Sequence, residues 1–455
     1  MTDLSVSRDL AQRSLALHGT LPPDVSAAAR LHLLDALGVG SAGSARGPLR
    51  ELGSLAARHP GGRSTVLGGA EPTTAAMASL VNGALIHSLE FDDTHVASVM
   101  HGSSTLAAVA LAVAQEVEAD GGDLLSAYAL GWEVLIRMGL ASPGTLQARG
   151  FQTTSAAGPF VAALVSGLLH GDSVDTIVEA LGIAGAQPGG TFAFLADGDT
   201  VKAGQPAWAA HSGILAAELA RAGMTGPERV LEGPLGFFAL FADDADAAER
   251  LRDELADLGD RWHLLDAAYK LIPCCHFIHP FVEALGTAVD GLDPADVAAI
   301  HCWVPDGAVP IIAEPWEGRQ APATGHDARW SLPYVLASRV VDGDVSLELF
   351  DAPIGGDRLD LSRRITHEIW EDSGFPARFP ARLRVTTTDG REIESSVDDV
   401  LGGAGRPVPP DAVVAKARGN LAAGGLSATV VDDLVAEVLD ADRPDVTRIG
   451  ALLRP

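Results

Sequence analysis

Cysteine and aromatic residues are scarce in this chain of 455 residues. Its three cysteines are Cys274, Cys275 and Cys302, an odd number that includes one adjacent pair. Such a set is not a disulfide framework, so the sequence predicts a protein of a reducing compartment, the cytoplasm. Aromatic residues make up 5% of the chain, whereas 50 glycines and many alanines indicate closely packed helices.

Basic residues are also few, since 32 lysines and arginines stand against 60 acidic residues and give a formal net charge of −28. This negative charge argues against nucleic acid and anionic membranes as partners, although a local basic pocket can still bind an anionic substrate. Long hydrophobic runs are lacking as well. The run 156–169 contains glycine, proline and serine, so it predicts a buried helix rather than a membrane span. The polar N-terminus has no signal-peptide core.

The hydrophobic pattern predicts a mainly α protein with two domains. Apolar residues at helical spacing, interrupted by glycine and proline, predict a large all-helical domain over about 1–265. Farther along the chain the pattern alternates, and Asp389-Gly390 between two alternating runs predicts a β-hairpin. We therefore expect a smaller α/β lid domain over about 270–405. Helices over about 410–455 are expected to pack back onto the first domain.

The segment 87–101 concentrates ionisable groups between two apolar helices. Its polar side chains are those of His87, Glu90, Asp92, Asp93, Thr94, His95 and His101. Burying such groups is unfavourable unless they are paired or used, so the segment is a candidate proton-handling site. Three other interpretations stay open: the acidic pair caps a helix, His87 is a satisfied core histidine, or the cluster binds a metal. No HExxH or CxxC spacing supports a metal.

Two further candidates lie outside this segment. The stretch KLIPCCHFIH, at the expected domain junction, contains Lys270, Cys274, Cys275, His276 and His279. We expect its cysteines to be buried and inert, and we select His279 as an acid/base group or anion contact. Lys202 is the other candidate, because its surroundings in the sequence carry almost no other charge.

Seven motifs are spread over nearly the whole chain. They are LPPDVSAAARLHLLDALGVGSAG, VNGALIHSLEFDDTH, GFQTTSAAGPF, VKAGQPAWAAHSG, LEGPLGFF, YKLIPCCHFIH and DARWSLPY. In this order they resemble the MmgE/PrpD family, which includes 2-methylcitrate dehydratase, cis-aconitate decarboxylase and iminodisuccinate epimerase. The resemblance implies a homodimer with a helical domain, a smaller lid domain and a cofactor-free active site between them. It also implies proton transfer next to a carboxylate of a small di- or tricarboxylate.

The polar clusters and the resemblance together give one set of predicted site residues. The predicted catalytic residues are His101 as acid/base, Lys202 as anion clamp, His279 as second acid/base, and Glu90 or Asp93 as a carboxylate poised by burial. The predicted substrate-binding residues are Thr94, His95, Gln152, Gln205 and His87. Because burial disfavours a charged carboxylate, we expect the pKa of Glu90 or Asp93 to be raised. No metal ligand is assigned.

Three positions depart from the family pattern. Gln152 stands where the family has a histidine, and Ala203 and Gln205 replace an arginine and a histidine. An amide can neither act as a general acid nor neutralise a carboxylate, so these changes indicate either a substrate with fewer carboxylates or a reaction that needs only one acid/base pair. The sequence thus predicts a cofactor-independent lyase of the dehydratase or decarboxylase type. The alternatives are an epimerase or isomerase, and a non-catalytic paralogue that binds a small anion.

Overall fold

A computed structural model describes residues 4–195 and 198–454 of the chain. As predicted, the protein is mainly helical. The elements of its first part are Val6–Leu17 (α1), Pro23–Arg46 (α2), Gly53–Ala56 (α3), Pro60–Ser64 (β1), Ala75–His87 (α4), Gly102–Val117 (α5), Gly121–Ala141 (α6), Thr145–Ala148 (α7), Thr153–His170 (α8), Val174–Ala184 (α9), Val201–Arg221 (α10) and Ala247–Leu255 (α11).

The second part contains the main sheet and further helices. Its strands are Val297–Pro305 (β2), Ile365–Trp370 (β3), Ala381–Thr387 (β4) and Glu392–Val397 (β5). Its helices are His279–Ala288 (α12), Val309–Ile312 (α13), Trp316–Gln320 (α14), Gly325–Ala328 (α15), Leu332–Asp342 (α16), Leu347–Asp351 (α17) and Gly356–Ser362 (α18). Three helices follow, at Pro410–Ala423 (α19), Ala428–Leu439 (α20) and Val446–Leu452 (α21).

The first hydrophobic core is formed by helices of the first part together with α19, α20 and α21. Small residues let these helices approach closely. A Cβ atom on Gly213 of α10 would lie 2.5 Å from the carbonyl oxygen of Pro159 in α8, so only glycine fits this crossing. A Cβ atom on Gly38 of α2 would lie 3.0 Å from the carbonyl oxygen of Ala417 in α19. The C-terminal helices therefore belong to the same core as α2.

The second core surrounds a four-stranded sheet with the order β3-β2-β4-β5. Strand β2 pairs in parallel with β3 and antiparallel with β4, with Cys302 opposite Leu383. Strands β4 and β5 form the hairpin predicted from Asp389-Gly390. Helix α12 packs against β4 and β5 and brings the junction segment 270–279 next to this sheet. Along the chain the first core extends to Ala267 and resumes at Ala417, and the second core begins at Cys274. The division into two domains stays a prediction.

Two helices are apolar enough to be compared with membrane-spanning helices. Among the described residues, α6 is the one helix long and apolar enough to span a bilayer, and 94% of its apolar window is buried inside the protein. The run 156–169 lies within α8, as predicted, and is buried.

Candidate active site

The segment between α4 and α5 is a tight loop with two left-handed residues. Glu90 and Val99 both have φ near 52°. This conformation is unfavourable for residues with a Cβ atom, and most of all for a β-branched residue such as valine. Both side chains line the same cavity, so the loop holds strained backbone where it faces that cavity.

The cavity is lined by residues of both parts of the chain, and its open space, counted with the solvent at its mouth, is about 620 Å³. Its polar or titratable lining residues are Glu90, Thr94, His101, Gln147, Gln152, Thr153, Lys202, Cys275 and His276. Its apolar lining residues are Val99, Phe192, Phe194, Leu195, Phe277, Ile311, Trp330 and Phe379. Five of the predicted site residues, Glu90, Thr94, His101, Gln152 and Lys202, are therefore brought together here.

Glu90 is the centre of an ion cluster at the cavity wall. The Lys202 ammonium donates to Glu90 Oε1, and Lys270 Nζ lies 3.4 Å from Glu90 Oε2. Lys270 Nζ is also 3.6 Å from Asp92 Oδ1. Lys270 is completely buried, whereas Lys202 lines the cavity and also lies 5.4 Å from the centre of the Trp330 ring. The cluster thus pairs two carboxylates with two ammonium groups, of which one is accessible to a ligand.

This pairing corrects the expected pKa of Glu90. Burial acts to raise the pKa of Glu90, but Lys202 and Lys270 outweigh burial and hold it below its usual value. The same carboxylates raise the pKa of Lys270, against the opposing effect of burial. Glu90 is therefore an ionised partner of the lysines and not a proton-holding acid.

His101 presents a neutral imidazole to the cavity. Its Nδ1 lies 3.2 Å from the carbonyl oxygen of Asp93 and 3.0 Å from Thr94 Oγ1. A carbonyl oxygen only accepts, so Nδ1 carries the proton and Nε2 carries the free electron pair. Burial, followed by the charge of Lys270, lowers the pKa of His101 well below its usual value. Nε2 has no hydrogen-bond partner among the described residues, and it is the basic atom of the site.

His87 supports the cavity from behind and does not line it. Its Nδ1 donates to Asp92 Oδ2 over 2.7 Å, and its ring centre lies 5.1 Å from that of His101. His87, Asp92 and His101 also have ligand atoms close enough to hold a metal ion. The Lys270 ammonium beside Asp92 already neutralises that carboxylate and would repel a divalent cation. The geometry therefore favours the ion cluster over a metal at this position.

Asp93 points away from the cavity. Its Oδ1 accepts from the Ser103 amide over 3.2 Å in the first turn of α5, and its Oδ2 accepts from His32 Nδ1 over 2.7 Å. Ser103 Oγ lies 2.5 Å from both Asp93 Oδ2 and the Tyr128 hydroxyl. This is the capping role that was one of the alternatives for the acidic pair. The acid/base role predicted for Asp93 has no geometric support.

His95 also lies outside the cavity. Its Nδ1 is 2.8 Å from Ser98 Oγ, and its ring contacts His263 in a second cavity of the protein. Burial lowers the pKa of His95 to about 3, and the neighbouring His263 adds to the effect. The predicted contact of His95 with substrate therefore has no support from its placement.

At the domain junction, His276 lines the cavity and His279 does not. His279 Nε2 donates to the carbonyl oxygen of Cys274 over 3.2 Å, and its ring faces a separate surface groove. Burial lowers the pKa of His279 to about 3. Neither ring nitrogen of His276 has a hydrogen-bond partner among the described residues. The expected convergence of His101 and Lys202 with a junction histidine thus occurs, but with His276 in place of His279.

Of the two predicted glutamines, one lines the cavity and the other does not. Gln152 caps α8 by accepting from the Ser155 amide over 2.6 Å, and it lines the cavity. Gln205 donates to the carbonyl oxygen of Thr191 over 2.9 Å and faces a neighbouring groove. Only Gln152 of these two can contact a ligand beside Lys202.

Sequence reasoning missed three contributors to the site. Lys270 and His276 were visible in the motif KLIPCCHFIH, but nothing in their spacing showed which side chains face the cavity. Arg329 is buried and donates to the carbonyl oxygens of Leu89 and Pro273, over 2.7 and 2.6 Å. It thereby ties the loop that carries Glu90 to the junction segment.

Comparisons with known proteins cover most of the chain. Residues 15–250 match the MmgE/PrpD N-terminal domain and residues 272–440 match the MmgE/PrpD C-terminal domain. A cis-aconitate decarboxylase of Aspergillus terreus is 29% identical over 95% of this chain and 92% of its own length. A cis-aconitate decarboxylase-like protein of Aspergillus oryzae is 28% identical over 95% and 94%. The human cis-aconitate decarboxylase is 27% identical over 83% and 79%. Matched over both domains, the chain belongs to the MmgE/PrpD family and is a lyase-type enzyme.

Proposed function

We propose that this enzyme acts on the carbon next to a carboxylate of a small substrate, where it moves a proton and eliminates water or carbon dioxide, without a cofactor. The observation that carries the proposal is the placement of neutral His101 and cationic Lys202 on one cavity. A neutral imidazole acts as a base, and an ammonium group stabilises the negative charge that develops. The names of the curated relatives support decarboxylation as one form of this chemistry.

In this proposal each group has one task. His101 Nε2 takes the proton from the carbon next to the carboxylate, and the electron pair moves onto the carboxylate held by Lys202. In dehydration the pair then expels the hydroxyl group from the neighbouring carbon. The proton taken up by His101 passes to the departing oxygen with His276 as relay, so that water leaves and both rings are neutral again. In decarboxylation the bond to the carboxylate carbon breaks first, carbon dioxide leaves, and the carbon that keeps the electron pair takes a proton from solvent water through His101. Thr94 keeps the His101 ring in its orientation.

Epimerisation is the second candidate, because two histidines from different segments line the cavity. His101 follows the loop after α4, and His276 lies at the junction before α12. One imidazole can remove a proton, and the other can pass a proton from solvent water to the opposite face while the first returns its proton to solvent, which inverts the carbon without loss of water or carbon dioxide.

We further propose a cytoplasmic homodimer in which the sheet-containing part acts as a lid. Three free, buried cysteines support a reducing compartment. Trp208 and Val201 of α10 are 59% and 55% exposed beside an apolar groove, which supports an interface between copies. The cavity walls come from both parts of the chain, which supports closure of one part over the other. Light scattering of the purified protein tests the dimer.

The experiment that tests the function is solvent exchange. The enzyme is incubated in deuterated water with a panel of small carboxylates, and NMR follows deuterium incorporation and product formation. Incorporation with loss of water or carbon dioxide supports the lyase, and incorporation alone supports the epimerase. Lys202→Ala should abolish both signals. Turnover that survives in Lys202→Ala, or no exchange with any carboxylate, would exclude the proposed chemistry.

A further inference from the structure

The charge available to a substrate in the cavity is small. Among the lining residues within 4–195 and 198–454, the charged groups are Glu90 and Lys202, and they neutralise one another. Lys270 is completely buried behind them and already holds Glu90 and Asp92. The nearby Arg329 is engaged with two backbone carbonyl oxygens. One accessible ammonium therefore has to serve every carboxylate that enters.

The histidines do not add positive charge. Burial lowers the pKa of both His101 and His276 well below the usual value, so both rings are neutral near pH 7. Gln152 contributes an amide, whose oxygen is already used by the Ser155 amide. A tricarboxylate would bring three negative charges into a cavity whose described lining residues carry no net charge. Charges buried without partners are strongly unfavourable, so such a substrate fits this cavity poorly.

The remaining wall is apolar and aromatic. Four of the 13 phenylalanines of the chain, Phe192, Phe194, Phe277 and Phe379, line this one cavity, together with Trp330 and Ile311. Phe277 and Phe379 pack edge to face, with ring centres 4.8 Å apart, and Phe192 and Phe194 do so at 5.9 Å. These mutual contacts hold the rings in place before a ligand binds. We name these four residues the phenylalanine wall.

We infer that the substrate carries a single carboxylate, bound by Lys202, and an aromatic or branched aliphatic group that packs on the phenylalanine wall. The inference rests on the proposed function for the role of Lys202. It extends that function by its substrate class: the polar side chains receive the reacting end, and the wall removes an apolar substituent from water. Cis-aconitate, for which the relatives are named, has three carboxylates and no such substituent.

The first test compares two unreactive probes by isothermal titration calorimetry on the full-length protein. 3-Phenylpropanoate has one carboxylate and an aromatic group, whereas propane-1,2,3-tricarboxylate has three carboxylates and none. We expect 3-phenylpropanoate to bind at least tenfold more tightly, and Lys202→Ala to weaken its binding at least tenfold. Equal or tighter binding of the tricarboxylate, or no binding of 3-phenylpropanoate, overturns the inference.

The second test adds a positive charge to the apolar lining of the cavity, at a residue outside the phenylalanine wall. Ile311→Arg places a guanidinium at the cavity lining, and Ile369→Arg makes the same change on β3, where Ile369 is 52% exposed and outside the cavity. We expect Ile311→Arg to shift the ratio of the two affinities at least tenfold toward the tricarboxylate, and Ile369→Arg to leave it unchanged. Thermal melting confirms that both variants fold. An unchanged ratio in folded Ile311→Arg contradicts the inference.

Turnover distinguishes failure of this inference from failure of the proposed function. If tricarboxylates lose water or carbon dioxide with a higher kcat/KM than aryl- or alkyl-substituted monocarboxylates, the inference is wrong and the lyase function stands. If monocarboxylates bind preferentially but no carboxylate exchanges its proton, the lyase function is wrong and the binding preference stands.

Discussion

Glu90 and Asp93 are three residues apart in one loop, yet their surroundings differ in kind. Glu90 lies between two ammonium groups at the cavity wall, in a left-handed conformation. Asp93 lies in a rear network, which we define as His32, Asp93, Ser103 and Tyr128, and which caps α5. The cavity side pairs charges that a ligand can rearrange, whereas the rear network satisfies hydrogen bonds that fix the loop. Residues on the cavity side can therefore contact a ligand, whereas residues of the rear network position the loop.

The largest expected effect is on the cavity side, at His101. In His101→Asn the side-chain amide can still donate to the Asp93 carbonyl oxygen, but the basic Nε2 is lost. Loss of a positioned base lowers the rate by roughly 10²- to 10⁴-fold. Deuterium exchange into the substrate measures this loss. The matched control is His95→Asn, a buried histidine of the same loop outside the cavity, for which we expect less than a tenfold change.

The next largest effect is on stability, at Lys270. Lys270→Met removes the buried ammonium and leaves Glu90 with Lys202 alone and Asp92 with His87. Breaking a buried ion pair on one side destabilises a protein by about 3–5 kcal/mol. Urea unfolding gives the free energy of unfolding, and Arg443→Met, at an exposed surface pair, serves as control. A loss of less than about 1 kcal/mol in the free energy of unfolding is typical of surface ion pairs. Such a small loss would show that the Lys270 ammonium does not stabilise the cluster.

A smaller effect on stability is expected in the rear network, at Asp93. Asp93→Ala leaves the His32 ring and the Ser103 amide without their acceptor, and a buried unsatisfied group costs about 1–3 kcal/mol. Urea unfolding measures this loss. Since Asp93 does not line the cavity, KM should change little while the unfolding midpoint falls. If Asp93→Ala lost activity at unchanged stability, Asp93 would have a direct role in the reaction and not only a positioning role in the rear network.

The smallest expected effect is on the pH dependence of the free energy of unfolding, and it is expected at His95. Its pKa is about 3 in the folded protein against 6.5 for the free side chain, because of burial. Below pH 6.5 the unfolded chain binds this proton and the folded protein does not, so stability falls as pH falls. His95→Gln should reduce this dependence between pH 6 and 4 by about 1.4 kcal/mol per pH unit. Unfolding curves at several pH values measure it, and an unchanged slope would contradict the buried, neutral state of His95.

Much of the site was predictable from the chain, because dense polar groups in apolar surroundings are informative. The segment 87–101 and Lys202 were selected in this way, and the structure brings Glu90, Thr94, His101 and Lys202 to one cavity. The orientation of each side chain was not predictable. His276 and His279 are three residues apart, and a 3₁₀ turn followed directly by α12 decides which ring faces the cavity.

The fold shows the same limit. The helices of the first part, the C-terminal helices and the hairpin were predicted from the sequence pattern, whereas the short helices α13–α18 and strand β3 were missed. Its sequence ITHEIW lies at the edge of the sheet, and its burial does not alternate clearly, so no regular pattern marks it. Helix α10 begins at Val201 and includes Pro206, a residue type that is disfavoured inside helices. Lys202 therefore lies in the first turn of a helix, a position that the sequence did not indicate.

The packing of α19, α20 and α21 into the first core has a consequence for synthesis of the protein. The ribosome makes these helices after the whole sheet-containing part. Until then α2 presents to water the surface that will receive Ala417 of α19. The nascent chain therefore carries an uncovered apolar face until α19 has been made, and a premature stop before residue 410 would leave that face permanently open to aggregation.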